Sequence, residues 1–118
     1  MLGRGGLALL EKNSVTLYRN FGGNEMRSLM NNDFKFSLQE GGSTGKDFWL
    51  NKEGLNAWKQ TDFAKSFNVE IKVESSFFIN LPKDAFFTDN LPGGAFNAAN
   101  IQNMEGLNKA VKSIKILK

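Results

Sequence analysis

The segment Asn68-Val69-Glu70-Ile71-Lys72-Val73-Glu74 alternates apolar and polar side chains over seven residues. A period of two fits an extended strand with one dry face and one wet face. Such a strand needs partners and a cover, so the chain has to build a half-buried sheet with other elements packed against its apolar side. A length of 118 residues allows one domain with one core. Eleven phenylalanines, against one tyrosine and two tryptophans, supply bulk for that core.

The remaining elements follow from local pattern. Ser14 to Asn20 reads as a strand, with Val15, Leu17 and Arg19 sharing one face. Gly22-Gly23 ends it, and Asn24 is the expected cap of a helix that buries Met26, Leu29 and Met30. Residues 31–46 are polar, with Phe34, Phe36 and Leu38 alternating inside them. The glycine-rich run 41–45 lacks the spacing of a phosphate cradle and reads as a loop. Asp47 to Leu50 forms a short aromatic strand. Asn51 then caps a helix, Lys52 to Lys59, that buries Leu55 and Trp58.

Ser75 to Asp89 is expected as a loop with one helical turn, and Pro92-Gly93-Gly94 as a turn. A strand from Ala95 to Ile101, a helix from Met104 to Val111 and a closing strand from Ile114 to Leu117 complete the reading. The order predicts an α+β fold: a small, split or curved, mostly antiparallel sheet with short helices. Residues 1–13 are read as a lead-in or linker, 14–118 as the single domain, and the chain as a piece of something larger.

Chemistry is bounded by what is missing. With no cysteine and no histidine, disulfides, thiol nucleophiles, Cys/His zinc sites and imidazole-based triads are excluded. Catalysis would have to use carboxylates, hydroxyls, amides, aromatic faces and cations. The net charge of +3 is mild for a nucleic-acid binder. The cations at Lys109, Lys112, Lys115 and Lys118 read as a solvated helix face or strand edge. No apolar run reaches the roughly 18 residues of a membrane span.

Several motifs form a recognisable series: Leu17-Tyr18-Arg19 closing the first strand, the short helix from Asn24 to Met30, Gly45 to Asn51, Ala57-Trp58, and Val69 to Val73. Over residues 14–118 this resembles the ADP-ribosyltransferase-like toxin domains of bacterial polymorphic effectors, of Rhs and contact-dependent type. In that superfamily two small sheets clasp NAD⁺ between them. The resemblance implies that Arg19, with Tyr18 beside it, holds the ribose or pyrophosphate through the bidentate fork of its guanidinium. It implies that Phe48 or Trp49 stacks on the nicotinamide, with Ser43, Thr44 and Asn51 as polar contacts. It also implies a late-strand Glu or Gln that stabilises the oxocarbenium-like transition state.

At that last position the sequence departs from the family. Gly93-Gly94 is followed by Ala95 and Phe96 rather than by glutamate. Ala95 is therefore the expected site of a replaced catalytic glutamate. If alanine is native, either Gln102 or Glu105 is the substitute or the domain is inactive.

What the resemblance implies is a toxin that uses NAD as substrate, a mono-ADP-ribosyltransferase or NAD glycohydrolase. It would be delivered as an effector into a target cell's cytoplasm, modify a macromolecular acceptor and be held by a cognate immunity protein. No membrane partner is expected; nucleic acid is one possible acceptor. Two other classes compete: a ribonuclease toxin of the barnase–EndoU–colicin type, which without histidine would need a Glu–Arg pair, and a non-catalytic binding module.

Overall fold

The computed structural model describes residues 14–37, 46–62, 64–79, 81–87, 94–98 and 101–117. Strands β1 (Ser14–Phe21), β2 (Lys46–Trp49), β3 (Phe67–Glu74), β5 (Ala95–Ala98) and β6 (Val111–Leu117) form one antiparallel sheet, which the two-residue β4 (Phe86–Phe87) extends at one edge. The spatial order is β4-β5-β2-β1-β3-β6. Three helices accompany it: α1 (Gly23–Asn31), α2 (Lys52–Lys59) and α3 (Ile101–Ala110). The α+β class and antiparallel pairing follow the sequence pattern, whereas the described strands lie in one sheet rather than two.

The long central pair is β1 with β3, in register from Ser14 opposite Glu74 to Phe21 opposite Phe67. This alignment puts Val15, Leu17, Val69, Ile71 and Val73 on one face, each buried. Met26 and Leu29 of α1 and Met104 and Leu107 of α3 cover that face, with Phe36, Phe48, Phe78 and Phe96 between them. The rings meet edge-on or tilted: Phe36 lies 5.3 Å from Phe48, and Phe77 lies 5.7 Å from Phe96. Gly106 lets α3 come close to this layer, since a Cβ there would stand 3.1 Å from the Phe77 ring.

The opposite face carries a smaller cluster of Tyr18, Trp49, Leu55 and Ala95, with Trp58 and Leu117 packed against it. Helix α2 supplies Leu55 and Trp58, so it covers the sheet on the side away from α1 and α3. Asn51 starts α2 as expected, its side chain accepting the Gly54 N–H at 2.9 Å.

Several boundaries differ from the sequence reading, β2 running Lys46–Trp49 rather than Asp47 to Leu50. The cap of α1 is Gly22, without a side-chain hydrogen bond, and Asn24 lies inside the helix; Met30 points to solvent. The strand expected to run to Ile101 is described over Ala95–Ala98, and Ile101 opens α3 instead of closing that strand. The segment after β3 makes two 3₁₀ turns, Ser75–Phe78 and Lys83–Ala85, before β4. The closing strand begins three residues early, at Val111. Residues 1–13, the run 41–45 and the Pro92-Gly93 pair lie outside the described residues.

Candidate functional site

Strand order brings the motif strands together: β1, β2 and β5 are consecutive neighbours, although their residues are far apart in sequence. Tyr18 stands opposite Trp49, and Trp49 opposite Ala95. Phe48 stands opposite Phe96. Cross-strand partners share a face and successive residues alternate. Tyr18, Trp49 and Ala95 therefore project from the α2 side, and Arg19, Phe48 and Phe96 from the side of α1 and α3.

The face of Arg19 holds a closed charge cluster. Nε of Arg19 donates to Glu25 Oε2 at 2.7 Å and NH2 to Glu25 Oε1 at 2.6 Å. NH1 donates to the Asp47 carbonyl at 2.8 Å. Lys46 Nζ reaches the same Glu25 oxygen at 3.0 Å, with its side chain only 1 % exposed. The guanidinium also lies 5.5 Å from the Phe48 ring and 6.0 Å from the Phe21 ring.

Burial pushes the Glu25 carboxyl up. The hydrogen bond and charge of Arg19, then the charge and hydrogen bond of Lys46, outweigh that and hold it below the ordinary glutamate value of 4.5. Glu25 is the residue that sequence reasoning missed. Its only signal was an acid in the first turn of a helix that starts two residues after Arg19's strand.

The other expected site residues are placed as follows. Phe48 is fully buried between Phe36 and Phe96, so it offers no face for stacking. Trp49, 4 % exposed, packs on Trp58 at 5.6 Å. Tyr18 is buried beside Glu70, its hydroxyl 3.4 Å from the carboxylate; burial and then the Glu70 charge raise its pKa.

Asn51 spends its side chain on the α2 cap. Ala95 is 1 % exposed beneath the second cluster, and a glutamate there would point away from Arg19. Gln102 and Glu105 are exposed on α3, and neither is a hydrogen-bond partner of Arg19. Ser43 and Thr44 lie outside the described residues.

Among the described residues the guanidinium fork of Arg19 is filled by Glu25 and the Asp47 carbonyl, the Phe48 and Trp49 rings are covered, and residue 95 projects from the other face. No buried side-chain nitrogen or oxygen there lacks a partner, and no group of three metal-ligating side chains occurs. No described helix is long and apolar enough to cross a membrane.

A second feature lies at the far edge of the sheet. Strand β6 pairs with β3 on one side and, among the described residues, ends the strand order. Beside it is an open groove of about 340 Å³, walled by Phe34, Asn108, Val111 and Ile114 and rimmed by Asp33, Lys35 and Lys112. Asp33 and Phe34 both adopt left-handed backbone, at φ 53° and 59°, a conformation costly for non-glycine residues. Asn108 fixes this turn: its Oδ1 accepts the Phe36 N–H and its Nδ2 donates to the Phe36 carbonyl, each at 2.8 Å. Phe34 is thereby held half-exposed over the groove.

No known protein family, curated protein or solved structure matches the chain.

Proposed function

We propose that the chain is a catalytically silent domain of ADP-ribosyltransferase type that works as a binding module. The convergence of the Arg19, Phe48–Trp49 and Ala95 strands on three adjacent positions of one sheet supports the scaffold. The observation that carries the silence is the closed Arg19–Glu25–Lys46 cluster, on the face opposite residue 95. Electrostatic stabilisation of an oxocarbenium ion needs a carboxylate at the reacting centre, and an alanine beneath Trp49 supplies none.

The test is nicotinamide release from NAD⁺ by the chain as it stands. The expected result is none above the uncatalysed rate; sustained release overturns the reading.

A second reading, an active mono-ADP-ribosyltransferase or NAD glycohydrolase, is favoured by one observation: Arg19 lies beside the aromatic second-motif strand, 5.5 Å from Phe48. It requires Arg19 to leave Glu25 for the nucleotide. The Arg19–Glu25 pair is likewise what a histidine-free ribonuclease would need, so total RNA belongs in the same assay. RNA cleavage there would replace both readings.

A further inference from the structure

We infer that the outer edge of β6, with the adjoining Phe34 groove, is a docking surface for an acidic, extended peptide segment that adds to the sheet as a further strand. This rests on the binding-module reading and names its surface and the chemistry of its partner.

Four observations converge. Among the described residues the seven of β6 end the sheet, so alternate N–H and C=O groups point away from β3, a template for strand addition. Charge selects the occupant: the stretch 106–117 carries Lys109, Lys112 and Lys115 and no acidic residue. Lys35 lines the same groove against the single carboxylate of Asp33. A second copy pairing edge to edge would set two lysine-bearing strands of like charge side by side, so the field favours an acidic strand over self-association.

Apolar reach is also present. Ile114 and Ile116 share a face of β6, because they stand opposite Ile71 and Val69. Ile116 is 53 % exposed and Phe34 is 51 % exposed. An occupant alternating acidic and apolar residues would lay its apolar side chains along Ile116, Ile114 and Phe34, and its carboxylates toward Lys115. Finally, the turn that presents Phe34 pairs two left-handed non-glycine residues with the Asn108 clamp, which is backbone strain at a candidate contact.

A lysine-bearing edge with a register shift, as here between Lys72 and Val73, also guards a sheet against aggregation. That role accounts for the charge and leaves the exposed Phe34 and Ile116 unexplained.

The probe is a labelled seven-residue peptide alternating glutamate and valine, titrated into the full chain by fluorescence anisotropy. Saturable binding is expected that weakens as salt rises, with no binding of the lysine–valine counterpart. N-methylation of alternate amides along one edge of the peptide should abolish binding, and along the other edge should leave it. Methylation hurting both edges equally, or neither, overturns strand addition without any change to the protein.

Lys112→Glu together with Lys115→Glu should weaken the acidic peptide by about tenfold; an unchanged affinity overturns the charge argument. Concentration-dependent dimerisation lost in Ile116→Lys would assign the edge to a second copy and overturn the proposed occupant. Nicotinamide release overturns the reading beneath the proposal even with the peptide bound. Absence of both activities overturns this surface alone.

Discussion

Arg19 and Ala95 lie two strands apart in one sheet and project from opposite faces. Arg19 stands opposite Val69, on the side covered by α1 and α3, whereas Ala95 stands opposite Trp49, beneath α2. A carboxylate at position 95 would be placed among Tyr18, Trp49 and Leu55, and the guanidinium already grips Glu25 with two hydrogen bonds. The guanidinium and residue 95 are thus held in separate environments, and the charge of Arg19 serves the fold.

The cost of breaking that charge cluster is asymmetric. Glu25→Ala leaves Arg19 and the nearly inaccessible Lys46 without their shared anion. Loss of one partner from a buried ion pair costs about 3–5 kcal/mol, out of a total on the order of 6–18 kcal/mol for a chain this long. Lys46→Met keeps the Arg19–Glu25 pair and replaces a buried cation by an apolar chain of similar length. It is expected to cost less than half as much, by urea denaturation.

Acid should act through the same residue. Folding lowers the Glu25 pKa below its ordinary 4.5, so its contribution is present above that value and is lost as pH falls through the lower folded value. Stability measured by urea midpoint should therefore drop on the acid side of pH 4.5, and Glu25→Gln should flatten that part of the profile. Equal slopes in the two proteins would contradict the assignment.

Asn20 is a second structural hub. Its Nδ2 donates to the carbonyls of Lys65 and Phe67 and to Asn68 Oδ1, while its Oδ1 accepts from Trp58 Nε1 and the Lys65 N–H. These bonds tie β1 to α2 and to the entry of β3. Asn20→Leu leaves buried donors and acceptors unpaired, at about 1–3 kcal/mol for each group left without water. A loss of at least about 2 kcal/mol is expected, with Trp58 fluorescence shifted; an unchanged urea midpoint would contradict the hub.

Phe34 separates stability from binding. Left-handed backbone costs a non-glycine residue about 1–2 kcal/mol, glycine returns about 0.5–1 kcal/mol of that as unfolded-state entropy, and Phe34 is half-exposed. Phe34→Gly should leave the thermal midpoint unchanged or raise it slightly, while weakening the acidic peptide. A marked fall in the midpoint would mean that the ring is core.

Much of this architecture was legible in the chain. The alternation from Asn68 to Glu74 gave β3 and its buried face, and Asn51 gave the start of α2, because both signals are local. What escaped was set by tertiary contacts. Arg19's face was readable, but its partner Glu25 lies on a helix whose docking only the packed core determines. Ala95 was a site position only through the resemblance, and its face depends on the β2–β5 register, which no local pattern encodes. Met30 kept helical spacing and still faces water, because α1 buries only Met26 and Leu29 among its apolar residues.

The side-chain Nε–H of Arg19 offers the most direct test, since it donates to Glu25 at 2.7 Å. In a ¹⁵N–¹H NMR spectrum of the chain it should give a resolved signal, slow to exchange with water, that millimolar NAD⁺ leaves in place. A saturable shift of that signal on NAD⁺ addition, or its loss through release from Glu25, would show the guanidinium turning to the nucleotide and would contradict the silent binding module.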